Sequence, residues 1–380
     1  MGGKMPGEKF HRCLTARALV CAGVEDAGSF DLDCCCWPDD YCGPRGGEVE
    51  KYVYHTDGVP FHYPPHTPVE EFFRYWARSA EGLRMVHLRP NDNLRHVESG
   101  LRFYLEKSVC LLRRGERKEA WKYLGCLLHF IEDSLFGLHA LEGADGTDLF
   151  VLDRLSGREV ARHLAKLPFD ESLLTLAVVP RILSDSVEEA IPLLYARYVR
   201  DGASSRRALF DMAADFLYGA SREPQRENVK TMFLNALSLA TDTLATVFAM
   251  SEGRAPVVRE RRLVDFAPSI YPIGGSGGFA LRRYEEKGND IAFGVNGEAV
   301  LLYAIPRGVY RRFSADVRLE DAGPLVLELV TGGVCAEKFE LAGNAAFPVR
   351  LDAPGGETGF RVLSREPRGR IVIAGGRLLK

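Results

Sequence analysis

A change of hydrophobic period near Ser251 to Pro256 constrains this chain more than any other feature. Before it, apolar residues return at three- and four-residue steps. Trp121, Leu124, Leu128 and Ile131 mark one such face between Glu116 and Asp133. Similar periods run over 65–83, 97–114, 186–200, 204–219 and 227–251, with helix-stop chemistry at Arg114-Gly115 and Asp201-Gly202. From Ile291 onward the pattern shortens to β-rich runs at 299–305, 313–319, 325–331, 338–341, 358–363 and 370–374, separated by turns. The spacing predicts an all-helical domain over 1–253 followed by an all-β sandwich over 254–380.

Residue usage shifts at the same place. All nine histidines lie between His11 and His163, whereas 19 of 38 glycines fall after residue 252. Net charge is −6 up to residue 250 (30 basic, 36 acidic) and +3 after it (19 and 16). With 46% apolar and 27% charged residues, the chain is neither disordered nor collagen-like nor a coiled-coil rod. No stretch approaches the ~20 apolar residues of a membrane span; the longest candidate, 233–250, is interrupted by Asn235 and Asp242. At net charge −3 there is no whole-chain electrostatic case for nucleic acid. Lys4, Lys9 and Arg12 precede a short apolar run at 18–24, but Arg17 interrupts its approach, so the segment is not read as a signal peptide. The expected location is therefore cytoplasmic.

The sharpest chemical signal is His129-Phe-Ile-Glu-Asp133, followed by His139. His129 and Asp133 are one helical turn apart, so both project from one face and can grip one cation. They sit among Leu124, Leu127, Leu128, Phe130 and Ile131, where an unpaired carboxylate is costly. A surface pair on an amphipathic helix is the plainer alternative. Gly125, one turn before His129, removes a side chain where a substrate would approach. Cys34-Cys-Cys36 reads as packed thiols, with soft metal ligands or a disulfide to Cys42 as rivals.

These segments resemble the zinc-dependent phospholipase C family of the clostridial alpha-toxin type, to which the S1/P1 nucleases are related. The Tyr123-Leu-Gly helix carrying His-x3-Asp and then His139, with its lead-in from Arg117, matches the family motif. The helix of His11-Arg-Cys-Leu14 and the segment Trp37-Pro-Asp-Asp40 resemble two earlier family segments in the same order. Phe248-Ala-Met-Ser-Glu-Gly253 resembles the end of the family's helical domain.

The resemblance implies two to three zinc ions. One would be held by Asp39, His55, His129 and Asp133, and a second by His11, a bridging Asp133 and an N-terminal amine. A third would use His139 with a later His-x3-Glu/Asp that this chain lacks. His163, preceded one turn earlier by Glu159, is the remaining histidine, and Asp148 and Asp153 are competing carboxylates. Asp40 rivals Asp39, and His62 rivals His55. Asp39 is the implied general base.

The implied reaction is hydrolysis of a phosphodiester, most naturally a phospholipid headgroup. The alternatives are an S1/P1-like nuclease, which the acidic helical domain disfavours, and a degenerate member that keeps one structural zinc and acts as a binding protein. In the resembled family the second domain contacts membranes through calcium, but Asp316, Glu320, Asp321 and Asp352 form no acidic loop. Arg282-Arg283 and Arg311-Arg312 are the basic pairs available for an anionic lipid surface. Carbohydrate binding by a sandwich of this kind is equally open.

Overall fold

The computed structural model describes residues 8–41, 46–56, 84–85, 94–137, 140, 171–218, 222–270, 284–294, 298–344, 346–364 and 369–380. The chain divides into two units, Met1–Pro256 and Val257–Lys380. The first is helical and the second is antiparallel sheet. The helical period expected at 65–83 and the basic pair Arg282-Arg283 lie outside the described residues.

The first unit contains α1 (Glu8–Cys21), α2 (Trp37–Tyr41), α3 (Gly46–Val49), α4 (Leu94–Arg113), α5 (Arg117–Leu135), α6 (Val187–Tyr218) and α7 (Arg222–Ser251). A 3₁₀ turn, Leu32–Cys36, leads into α2, and β1 (His55–Thr56) pairs with β2 (Arg84–Met85). The α4 stop follows the expected chemistry. Gly115 takes φ of 77°, its N–H donates to Leu112 O, and the Glu116 N–H donates to Leu111 O, which closes the last turn.

α7 is the central helix and packs against α1, α4, α5 and α6. Met232, Phe233, Leu237, Leu244 and Val247 are wholly buried, and from Leu239 to Met250 every residue but Ala245 is buried, Asp242 and three threonines among them. Gln225–Ser251 is long and apolar enough to cross a membrane, and it contains the 233–250 candidate that the sequence reading set aside as too interrupted; 83% of its apolar stretch is buried inside the unit.

Asp201-Gly202 does not break the chain, contrary to the sequence reading; α6 runs through it. Two neighbours offset the helix-breaking tendency. Arg197 Nη2 holds Asp201 Oδ2 at 2.8 Å on the same helix and Arg197 Nη1 reaches Asp242 Oδ2 on α7 at 2.5 Å. Asn235 Nδ2 donates to Asp201 O at 3.2 Å. Gly202 itself is buried.

The second unit forms two antiparallel sheets. One has the order β10 (Val334–Gly343), β9 (Ala322–Thr331), β12 (Gly356–Ser364), β7 (Glu298–Ile305), β4 (Pro268–Ile270). The other runs β11 (Ala346–Asp352), β8 (Arg312–Glu320), β13 (Arg370–Leu379), β6 (Asp290–Gly294), β5 (Glu285–Lys287), with β3 (Glu260–Arg262) added to β13. β8 buries Phe313, Ala315, Val317 and Leu319, with Ser314 half-buried and Asp316 and Arg318 exposed between them. The Phe313 ring meets Phe360 of the other sheet at 6.1 Å between centroids, which places the core between the sheets.

The sequence runs missed β11, because Pro348 interrupts the pattern; the strand lies at a sheet edge, where proline is tolerated. Arg312 faces its cross-strand neighbour Asp352 at 3.3 Å, so half of that basic pair is already matched by an acid.

Gly359 shows how tightly β12 approaches β7. A Cβ there would lie 2.1 Å from Leu301 O and 3.0 Å from Leu302 Cα. Gly359→Ala is expected to destabilise the sheet unit by at least the ~1–3 kcal/mol of ordinary overpacking. A chemical-denaturation midpoint equal to wild type would contradict this close approach.

Candidate metal centre

The site is assembled by three pieces of the helical unit. α1 contributes His11 and Thr15, α2 contributes Asp39, and α5 contributes His129, Glu132 and Asp133. Every α5 residue from Tyr123 to Leu135 is buried, so the acidic pair Glu132-Asp133 lies inside the protein. The 3₁₀ turn is fixed to α5 by Trp121 Nε1, which donates to Asp31 O at 2.7 Å. Phe10 stacks on Phe136 at 4.2 Å, tying α1 to the residue that follows α5.

The His11 and His129 rings stack with centroids 4.3 Å apart and planes at 26°. His129 Nδ1 lies 2.8 Å from Cys35 O, and since a carbonyl can only accept, this nitrogen carries the proton. In the neutral ring, Nε2 is left to present its lone pair. It lies 3.1 Å from Asp133 Oδ2 and 4.0 Å from Asp39 Oδ1. His11 Nδ1 is tied to Glu132 Oε2 at 2.7 Å, and its Nε2 lies 3.4 Å from Asp133 Oδ1. Thr15 Oγ1 donates to Glu132 Oε1 at 2.6 Å. One carboxylate, Asp133, therefore stands between two imidazoles whose far nitrogens are both held.

Ligand atoms of His11, Asp39 and His129 all lie within 4.8 Å of one another, the one such metal-capable group among the described residues. Asp133 and Asp39 bring carboxylate oxygens against the two imidazoles, a convergent set of donors that a divalent cation would satisfy. Imidazole nitrogen and carboxylate oxygen with no thiolate form a donor set that suits zinc. The carboxylate–histidine pair and the carbonyl–histidine pair are the outer partners that metal-binding histidines use.

Charge coupling follows this geometry. Burial pushes the Glu132 carboxyl well above the usual carboxylate range; the Thr15 hydrogen bond and His129 oppose it. Burial alone would lower His129, but Asp133, Asp39 and the Cys35 carbonyl outweigh it and raise the imidazole from 6.5 to about 9. The protonated ring is thus favoured by the metal-free fold. That contribution is complete below pH 6.5 and is lost as pH rises through 9. Metal-free protein is expected to lose roughly 2 kcal/mol of stability between pH 7 and 9.5. His129→Ala should flatten that difference in melting temperature; an equal difference in the variant would place its origin elsewhere.

One sequence reading changes, and another is borne out. Gly125 does not clear a path for substrate. A Cβ there would meet Cys34 Cβ at 2.7 Å and the Cys34 carbonyl carbon at 2.9 Å, so the glycine admits the 3₁₀ turn against α5. Cys34, Cys35 and Cys36 are packed in the interior, and none of them is in a disulfide. Burial pushes Cys34 up to about 12, and hydrogen bonding to Cys36 followed by burial raises Cys35, so the sulfurs of Cys34 and Cys35 remain neutral thiols.

His55 opens β1 opposite Met85, with its side chain outside the described residues, as is that of Asp40 in α2. His62, His139, Asp148, Asp153, Glu159, His163 and Cys42 also lie outside them. The sequence reading missed Glu132, Thr15 and the Cys35 carbonyl. Glu132 was legible as a second acid in an apolar run, and Thr15 as the residue one turn after His11. A backbone carbonyl leaves no sequence signal.

No protein-family profile matches the chain, and no curated protein matches it in sequence. Among solved structures, the chain is similar to an alpha toxin from Clostridium absonum at 11% identity, covering 97% of this chain and 92% of that one, TM-score 0.26. It is similar to a Clostridium perfringens alpha-toxin at 11% identity, covering 94% and 82%, TM-score 0.24. It is also similar to a mutant family 29 carbohydrate-binding module complexed with cellulohexaose, at 15% identity, covering 32% of this chain and 92% of that one, TM-score 0.20. At these scores the likenesses carry no weight for the site.

Proposed function

We propose that the helical unit is a zinc-dependent phosphodiesterase of the phospholipase C type. The observation that supports it most is the Asp133 carboxylate standing between His11 and His129, with Nδ1 of each ring already tied to Glu132 or to Cys35 O. His11, Asp39, His129 and Asp133 would hold the cation. When bound, it supplies Lewis acidity, acidifying a water near neutral pH and offsetting charge on a phosphoryl oxygen.

The chain's own residues do the rest. Glu132 and the Cys35 carbonyl fix the ring orientations, so little reorganisation is needed when substrate arrives. Asp133 is buried and stays in place as a ligand. The Asp39 side chain is 34% exposed, at the open side of the group, where its carboxylate can take the proton from an attacking water. The substrate is a phosphodiester, with a phospholipid headgroup as the first class to test.

The test is hydrolysis of phosphatidylcholine vesicles and of single-stranded DNA by the full chain with one to three equivalents of zinc. Headgroup release abolished by Asp39→Asn supports this reading. Cleavage of DNA alone would make the protein a nuclease. No turnover of either substrate, with zinc bound, would mean a binding protein with a structural ion.

A further inference from the structure

A cavity of about 580 Å³ opens in the helical unit, away from the metal centre. It begins just past Cys21, the last residue of α1, which is ten residues beyond His11 and so about 15 Å along the helix axis. Gly23, with φ of 66°, ends α1, and the Val24 N–H closes its last turn on Leu19 O. The irregular segment 176–183 is pinned to α7 at two points. The Arg181 N–H donates to Asp242 Oδ1 at 2.8 Å, and the Leu183 N–H donates to Thr246 Oγ1 at 2.9 Å. Pro180 and Ile182 of that segment line the cavity with Val24 and with Ala245, Phe248 and Ala249 of α7. Two alanines one turn apart leave the space unfilled.

One charged group in the wall is held in place without an acid partner. The Arg117 guanidinium lies 5.7 Å from the ring centroids of both Phe30 and Phe248, and its Nη2 donates to Glu25 O at 3.2 Å. Among the described residues no carboxylate pairs with it; Glu25 offers its backbone oxygen only. Arg254, the other arginine of the wall, is already paired with Glu252.

We infer that this cavity binds an anionic amphiphile of the fatty-acid class, with its carboxylate on Arg117 and its hydrocarbon body against Ala245, Phe248, Pro180 and Ile182. The guanidinium fork matches a carboxylate with two parallel hydrogen bonds, and rings that already hold it reduce the ordering cost of binding. Two arginines and two glutamates make the wall neutral, so it suits a single negative charge better than a dianion. The volume falls within the roughly 300–1,000 Å³ of small-molecule sites. Val179, beside Pro180, and Val20, one turn before Val24, are large apolar side chains left exposed next to the lining residues. The site shares no residue with the metal centre and does not depend on it.

The test is calorimetric titration of the full chain with decanoate, decanol and decyltrimethylammonium, each below its micelle concentration. Wild type is compared with Arg117→Gln and with Ala245→Phe, which fills the cavity. Wild type is expected to prefer decanoate to decanol. Arg117→Gln should weaken decanoate roughly 10- to 100-fold, the effect of losing hydrogen bonds to a charged group, and leave decanol unchanged. Ala245→Phe should weaken both. Should that variant fail to fold, Arg117→Gln decides alone, because its side chain is exposed and its loss leaves no cavity. Equal binding of decanoate and decanol, or equal decanoate binding by Arg117→Gln, would overturn the inference. A preference for decyltrimethylammonium would make Glu25 the anchor, which also overturns it. Binding of none of the three would overturn it and leave the metal reading intact.

Discussion

His129→Ala protein is expected to bind zinc more than 100-fold more weakly than wild type and to release no headgroup from phospholipid vesicles. The expectation follows from position. Loss of an outer partner costs roughly 10- to 100-fold in affinity, and His129 is itself a ligand, buried at the centre of the group. Its removal takes away the Nε2 lone pair beside Asp133 and leaves two adjacent buried acids with less positive charge nearby. The variant's fold is checked by far-UV circular dichroism, since a cavity at this site also costs stability. Zinc binding equal to wild type in a folded variant would remove His129 from the ligand set. Hydrolysis persisting at wild-type rate would place the chemistry elsewhere on the chain.

The second large effect is expected at Gly125, far from any ligand role. Gly125→Ala forces a methyl group to within 2.7 Å of Cys34 Cβ and 2.9 Å of the Cys34 carbonyl carbon. Backbone cannot yield as a flexible side chain can, so the Leu32–Cys36 turn must move away from α5. Overpacking of this kind costs about 1–3 kcal/mol. The same shift carries the Cys35 carbonyl away from His129 Nδ1 and displaces α2, which bears Asp39. Gly125→Ala is thus expected to lower both the melting temperature and the zinc affinity, the latter by about 10-fold. A lower melting temperature with wild-type zinc affinity would show that the turn does not orient His129. Wild-type values for both would show that the turn is free to shift.

How far the sequence could be read depended on whether a feature is periodic. The change from helical spacing to short β runs is periodic over many residues, and it marks the two architectures directly. His129 and Asp133 were legible because helical geometry alone puts them on one face. His11 and Asp39 came only through resemblance, since nothing local in the sequence brings α1 and α2 to α5. The outer partners were missed for two reasons. Glu132 does not share the His129–Asp133 spacing, and Cys35 acts through its backbone. Asp201-Gly202 misled because the local stop signal is overridden by Arg197, one turn earlier on the same helix, together with Asn235 and Asp242, which are distant in sequence. Pro348 hid an edge strand for a similar reason, since its tolerance depends on a sheet position that the sequence does not display.

The claim that carries the rest is that this buried cluster of histidine and aspartate holds a divalent cation. The most direct measurement is metal content per chain by mass spectrometry, on protein purified without chelator or metal-affinity resin, with His129→Ala prepared in parallel. The account predicts at least one zinc per wild-type chain, and two to three if the centre is multinuclear, with a clear loss in the variant. Wild-type protein without zinc or another divalent transition metal, and unable to take one up on addition, would contradict it.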